Sequence, residues 1–185
     1  MRSVGDKMVI LVTGGARSGK SSFAENLYRD KKDVVYIATS KIWDKEMEER
    51  IKLHRESRPF HWRTYEGYYS LTDALGEEKN YLLDCITLLS SNIMFDVTDG
   101  KDYIDYNLQK EVENRIFDEL YSLIQAIEER RYNLVLVTNE VGYSLVPDNH
   151  IGRVFRDIQG RINQRIAALS HEVYLVCCGI PVKIK

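Results

Sequence analysis

The segment Gly14-Gly15-Ala16-Arg17-Ser18-Gly19-Lys20-Ser21 has the residue types and spacing that hold a polyphosphate. It fits the pattern of a glycine, four free positions, then Gly-Lys-Ser/Thr. The glycines let the backbone turn its N–H groups inward and approach an anion closely. A helix opening near Ser18 aims its N-terminal dipole and unpaired N–H groups at the phosphates. Lys20 supplies a point charge for the β and γ phosphates, and the Ser21 hydroxyl is the expected ligand for Mg²⁺. Arg17 is either additional positive charge for the phosphates or a solvated surface residue.

Such a loop needs an acid on a neighbouring strand to orient the metal or its waters. Asp84, which ends the run Tyr81-Leu82-Leu83-Asp84, is the candidate. In a parallel sheet the C-terminal ends of the strands face the ligand crevice. The competing role for Asp84 is an ordinary N-cap of the segment that follows. A second centre is His54, flanked by Arg50, Lys52, Arg55 and Arg58. Surrounding cations lower an imidazole pKa and keep the ring neutral and nucleophilic near pH 7. A neutral imidazole can attack an α-phosphate and form a phosphoramidate. The plain alternative is a histidine that caps the apolar stripe of Met47 and Ile51.

The elements that must position these residues follow from the apolar runs. Residues 8–13 (MVILVT) read as a strand buried on both faces, and residues 18–29 as the helix after it. A strand over 34–38 and a charged helix over 44–56 come next. A short strand over 81–84, a helix over 87–95 and a loop over 97–105 follow. Residues 106–131 hold helical spacing of apolar residues throughout and form the longest helix. A strand over 134–138, an arginine-bearing helix over 152–169, a strand over 172–177 and an extended tail over 180–185 complete the chain. Alternating strands and helices predict an α/β fold: one domain over 8–185 with a mostly parallel sheet, helices on both faces, and an N-terminal extension over 1–7.

The bulk properties agree. A chain of 185 residues with 44% hydrophobic and 29% charged residues suits one ordinary globular core. A net charge of -2 offers no basic field for nucleic acid or anionic membrane. No apolar run approaches the roughly 20 residues that span a bilayer, and residues 1–7 lack the features of a targeting peptide, so the cytoplasm is expected. Cys85, Cys177 and Cys178 make a poor disulfide framework and no zinc pattern, and are expected to be reduced and mostly buried.

Together these blocks resemble one family, the bifunctional adenosylcobinamide kinase / adenosylcobinamide-phosphate guanylyltransferase of cobalamin synthesis. The resemblance runs from Met8 to Lys185. It rests on VTGGARSGKSSFAE at 12–25, YIATS at 36–40, RIKLHRESRPFHWRTYE at 50–66, LLDCITLLSSN at 82–92, VTNEVGYSLVPDN at 137–149, FRDIQGRINQRIAA at 155–168 and the ending GIPVKIK. It implies two reactions. A nucleoside triphosphate, ATP or GTP, phosphorylates the hydroxyl of the aminopropanol arm of adenosylcobinamide. GTP then donates GMP to that phosphate, giving adenosylcobinamide-GDP and pyrophosphate. The guanylylated histidine of the family falls on His54. The P-loop at 14–21 binds the triphosphate with Mg²⁺. Ala38, Thr39 and Ser40 match a nucleotide-contact segment, Arg55, Glu56, Ser57 and Arg58 match the stretch after the histidine, and Glu66 and Asp84 match acidic nucleotide-site positions. A homotrimer with the site near a subunit boundary is implied too.

The chain departs from the family pattern in two places. Many members carry adjacent histidines, whereas Leu53 precedes His54, leaving one candidate nucleophile there. The strand-end acid is often Glu, and Asp84 is one methylene shorter. Two other readings stay open on sequence. A kinase acting on another small metabolite needs residues 14–21 and Asp84 but not His54. A non-enzymatic GTP-binding regulator would need switch loops, and the guanine-specificity motif NKxD is absent at Thr138-Asn139-Glu140. On the arginine-bearing helix, Arg153, Arg156, Arg161 and Arg165 mark a solvated face, or Asn163 and Gln164 among them mark a subunit interface.

Overall fold

The protein is described by a computed structural model over residues 8–41 and 59–185. The expected helix over 44–56, the extension over 1–7, and His54, Arg55, Glu56, Ser57 and Arg58 lie outside the described residues.

Seven strands form one sheet: β1 (Val9–Gly14), β2 (Val34–Ala38), β3 (Arg63–Glu66), β4 (Asn80–Asp84), β5 (Asn133–Val137), β6 (Glu172–Cys177) and β7 (Ile180–Lys183). Their order is β3-β2-β4-β5-β1-β6-β7. Every pairing is parallel except β6 with β7, which is antiparallel. Among the described residues the α-helices are α1 (Lys20–Asn26), α2 (Ile86–Thr98), α3 (Tyr106–Arg130) and α4 (His150–Leu169). The expected mostly parallel α/β sheet is therefore present, with its last strand reversed.

The alternation along β1 explains the layering. Val9 and Leu11 enter one core cluster, which α2, α3 and α4 cover through Leu89, Ile116, Leu123 and Ile162. Val12 enters the other cluster, which α1 covers through Ala24, with Tyr28 just beyond its end. Successive side chains of a strand point to opposite faces, so a strand covered on both sides must be apolar at every position. β2 meets this demand, with all five residues buried.

Several boundaries differ from the sequence expectation. α1 begins at Lys20, because Gly19 sits in the left-handed region at φ 92°. It ends at Asn26, beyond which the chain closes in turns such as Tyr28 N–H to the Glu25 carbonyl. α2 runs on to Thr98, into the expected loop, and the chain reverses there with Asp99 left-handed at φ 50°. β3 was not expected at all. It is an edge strand, three of whose four residues are exposed, so it carries no apolar run. Its strand character comes from parallel pairing with β2. The cysteine expectation fails for two of three residues. Cys85 is buried and free, but Cys177, the last residue of β6, and Cys178, in the turn before β7, are exposed.

Candidate nucleotide site at the C-terminal edge of the sheet

Strand register gathers the candidate residues along one edge. Glu66 lies opposite Ala38, and Ala38 opposite Asp84. Asp84 lies opposite Val137, one residue before Thr138-Asn139-Glu140. On the far side of β5, β1 ends at Gly14 opposite Val176. Consecutive strands diverge here. β1 is followed in the chain by β2 on one side of the sheet, and β5 by β6 on the other, so β5 and β1 flank a crevice where an α/β sheet holds its ligands.

The loop from β1 to α1 is shaped by close backbone approach. A Cβ on Gly14 would lie 2.5 Å from the Val176 carbonyl oxygen and 2.7 Å from Ser18 Oγ. On Gly19 it would lie 3.2 Å from the Gly179 Cα. Neither position leaves room for a side chain. Gly179 N–H donates to the Ser18 carbonyl at 2.8 Å, so the β6–β7 turn braces the loop from outside. Gly15, Ala16 and Arg17 are exposed, and Arg17 takes a left-handed conformation at φ 57°. Lys20 Nζ donates to the Gly15 carbonyl at 3.2 Å, which lays the ammonium across the loop. The first turn of α1 contains no acid, so its dipole is uncompensated by its own side chains. Ser18 Oγ is buried without a hydrogen-bond partner. An orphaned donor inside a glycine-walled cradle is suited to an anion.

Asp84 is half-buried at the end of β4 and accepts a hydrogen bond of 3.0 Å at Oδ2 from the Tyr36 hydroxyl. It is not the N-cap of α2. That position belongs to Cys85, which makes no side-chain cap bond. The Cys85 thiol is buried and pushed up to about 12, first by desolvation, with Asp84 raising it further and Lys20 pulling it down. A Ser hydroxyl at Ser21, half-buried in the first turn of α1, and a carboxylate at Asp84 are oxygen donors that suit Mg²⁺ when phosphate oxygens and waters complete its shell. Among the described residues no group of three or more His, Cys, Asp or Glu side chains gathers into an all-protein metal site.

Thr39 is fully buried and bound in both directions to one residue. Its hydroxyl donates to the Cys85 carbonyl at 2.7 Å and accepts from the Cys85 N–H at 2.9 Å. Asn92 Nδ2 donates to the Thr39 carbonyl at 2.8 Å. Thr39 therefore stitches the end of β2 to the end of β4. Ala38 is buried and its carbonyl accepts from Gly67 N–H at 3.1 Å, while Ser40 is half-buried and Glu66 exposed.

Sequence reasoning missed a polar group beneath the loop. Glu140 Oε1 accepts from Thr13 Oγ1 at 2.9 Å and from Asn163 Nδ2 at 3.3 Å, and Glu140 N–H donates to the Gly14 carbonyl at 3.1 Å. Thr138 Oγ1 donates to Asn163 Oδ1 at 2.8 Å, and Gln159 Nε2 donates to both Asn163 Oδ1 and Thr138 Oγ1. Asn163, read as a surface residue of a possible interface, is instead buried in this network, while Gln164 is exposed. The strand-end rule that found Asp84 would also have found Glu140. The arginines of α4 are tied within the chain. Arg161 and Arg165 pair with Glu113 of α3 at 2.6 and 3.7 Å, and Arg165 stacks 3.3 Å above the Phe117 ring. Arg153 donates to the Pro147 and Asp148 carbonyls, and Arg156 to Asp157.

Among the described residues no helix is long and apolar enough to cross a membrane. Comparison with known proteins bears on the chemistry. The chain is 48% identical over 182 residues to the bifunctional adenosylcobalamin biosynthesis protein CobU of Escherichia coli K12, covering 96% of this chain and all of that one. It is equally similar, over the same span, to the CobU of Salmonella typhimurium LT2. It is 34% identical over 180 residues to the bifunctional adenosylcobalamin biosynthesis protein CobP of Pseudomonas aeruginosa PAO1, covering 95% of this chain and 96% of that one. A family model described as cobinamide kinase / cobinamide phosphate guanyltransferase matches residues 10–184. With the phosphate cradle, the strand-end carboxylate and this match over almost its whole length, the chain belongs to the cobinamide kinase / cobinamide phosphate guanyltransferase family.

Proposed function

We propose that this protein phosphorylates adenosylcobinamide with ATP or GTP and then transfers GMP from GTP to the resulting phosphate through a guanylylated His54. The observation that carries this reading is the pairing of a phosphate cradle and strand-end acid with full-length family membership. In the kinase step the aminopropanol hydroxyl oxygen attacks the γ-phosphorus and the bond to the β–γ bridging oxygen breaks, releasing the nucleoside diphosphate. Little covalent chemistry is asked of the protein in such a transfer. Positioning and charge neutralisation dominate. The backbone N–H groups of residues 14–21 and the Lys20 ammonium hold the triphosphate. Ser21 and Asp84 would hold Mg²⁺, which would supply charge neutralisation for the phosphate oxygens. Tyr36 keeps the Asp84 carboxylate in one orientation.

In the second reaction a neutral His54 nitrogen attacks the α-phosphorus of GTP. The α–β bridging bond breaks and pyrophosphate leaves. A phosphate oxygen of adenosylcobinamide-phosphate then attacks the same phosphorus, and the N–P bond breaks to free the imidazole. Arg55, Glu56, Ser57 and Arg58 are assigned to the nucleotide beside it. Ala38, Thr39, Ser40 and Glu66 are assigned to the nucleotide at the edge of the sheet. For Thr39 the structure favours a backbone or positioning role, because its hydroxyl is already committed to Cys85. A cytoplasmic homotrimer completes the proposal.

The test uses GTP labelled at the α-phosphate. Wild-type protein with Mg²⁺ should acquire label that is acid-labile and base-stable, and His54→Ala should not. Unlabelled wild type, or undiminished label on His54→Ala, overturns the guanylyl half. If kinase activity survives in His54→Ala while wild type transfers no guanylyl group, the kinase-only reading takes its place. Sedimentation or light scattering decides the trimer.

A further inference from the structure

The end of β6 and the turn after it carry two free thiols that the proposed chemistry does not use. Cys177 and Cys178 are both exposed, and their sulfurs lie 3.9 Å apart. The next residue, Gly179, is the one that braces the phosphate loop. Its N–H donates to the Ser18 carbonyl at 2.8 Å, and its Cα would stand 3.2 Å from a Cβ on Gly19. Cys178 and Gly179 both occupy the left-handed region, at φ 52° and 80°, so the turn is set by two consecutive unusual backbone angles.

We infer that Cys177 and Cys178 form a reactive vicinal dithiol that is oxidised by small-molecule disulfides, and that its oxidation loosens the phosphate loop through Gly179. The reaction balances as two exchanges. The Cys178 thiolate attacks one sulfur of the small disulfide and expels a thiolate, leaving a mixed disulfide. The Cys177 sulfur then attacks Cys178 Sγ and expels the second small thiolate. The pair has lost two electrons and two protons, and the small disulfide leaves as two thiols. Contact with the Cys178 sulfur pushes the Cys177 thiol above its ordinary value, so Cys177 is the poorer first attacker.

Geometry links the bond to the loop. A disulfide brings its sulfurs to about 2.05 Å, and its two Cα atoms are usually about 4.4–6.8 Å apart. Adjacent residues joined by a trans peptide hold their Cα atoms only about 3.8 Å apart. The peptide fixes that Cα spacing, so ring closure from 3.9 Å between the sulfurs is taken up by turning the backbone dihedrals at 177–178 and twisting the peptide between them, and Gly179 follows directly. The hydrogen bond from Gly179 to Ser18 is the contact most exposed to that movement. Cys85 does not compete for the oxidant, because it is buried and its thiol is pushed up to about 12.

The experiment treats the native protein with oxidised glutathione and with dithionitrobenzoate, then measures thiol count, intact mass and affinity for a fluorescent GTP analogue. The expected result is two fast thiols, an intact mass lower by two hydrogens, and affinity reduced about fivefold, the loss of one ordinary hydrogen bond. Dithiothreitol should restore it. Cys177→Ser and Cys178→Ser should each bind nucleotide normally and resist the loss. Stable glutathione adducts on wild type, or unchanged affinity in protein whose mass confirms the closed ring, would overturn the inference. So would equal loss in the serine variants. The readout is triphosphate binding alone, so it stands whether or not His54 becomes guanylylated.

Discussion

The sharpest consequence of the loop geometry concerns two neighbouring glycines. Gly14→Ala would put a Cβ 2.5 Å from the Val176 carbonyl oxygen, a backbone atom held by β1–β6 pairing, and 2.7 Å from Ser18 Oγ. Relief requires the gap to the carbonyl to open from 2.5 Å to at least 3.0 Å, below which real Cβ contacts essentially never fall. Neither partner is the free end of a long side chain. Overpacking of this kind costs about 1–3 kcal/mol. If the loop keeps its shape, the cost falls on stability, and at roughly 2–4 °C per kcal/mol the melting temperature drops by about 2–12 °C. If the loop relaxes outward, the cost falls on binding, and triphosphate affinity drops by about 5- to 150-fold. Gly15→Ala is the control: its Cβ meets nothing within 4 Å and its φ is not in the left-handed region. It should melt no lower than wild type. Calorimetric titration with a non-hydrolysable GTP analogue, paired with thermal melts of both variants, reads both outcomes. A Gly14→Ala protein indistinguishable from wild type in both measurements, or a Gly15→Ala protein that melts well below wild type, would refute the account of the cradle.

Three further outcomes are expected. Tyr36→Phe removes the hydroxyl that holds Asp84, and should lower Mg²⁺-dependent turnover while changing the melting temperature little; an unchanged Mg²⁺ titration curve speaks against that role. Glu140→Ala leaves the Thr13 hydroxyl without its acceptor and should cost about 1–3 kcal/mol in denaturant unfolding, with weakened triphosphate binding. Glu78 accepts from Arg63 at 2.6 Å, and that hydrogen bond holds its carboxyl below the ordinary 4.5. A depressed carboxylate contributes stability that is present above its unfolded value and is lost as the pH falls through the folded one. Both groups are partly exposed, so Glu78→Gln should cost under about 1 kcal/mol near pH 7 and nothing once the pH lies below the lowered folded value. Urea titrations at the two pH values test the difference.

Most of the sheet was legible because its inner strands are covered on both faces and read as unbroken apolar runs. The boundaries predicted for β2 and β6 coincide with those found. The phosphate loop was legible because its glycines are required by close approaches that only a missing Cβ permits. β3 was not, because Arg63-Thr64-Tyr65-Glu66 is an edge whose pairing, not its hydrophobicity, makes it a strand. Asn163 and Gln159 were not, because a polar residue on an amphipathic helix looks the same whether it meets solvent or a buried partner from a distant strand. The exposed thiols escaped because cysteine usually prefers burial, a preference that the tight turn at 178–179 overrides.

The network beneath the loop has a bearing on how α4 is seated. Gln159 and Asn163 lie one helical turn apart and between them satisfy Thr138, Glu140 and the Asn139 carbonyl. Advancing α4 by a single residue would swing its side chains by about 100°, take these bonds from Thr138, Glu140 and Asn139, and leave the fully buried Thr138 hydroxyl without them. The helix is thus keyed like a shaft in a slot, able to slide neither along its axis nor around it. A lone replacement at any tooth of that key is penalised, and drift at these positions should proceed by paired exchanges across the β5–α4 boundary.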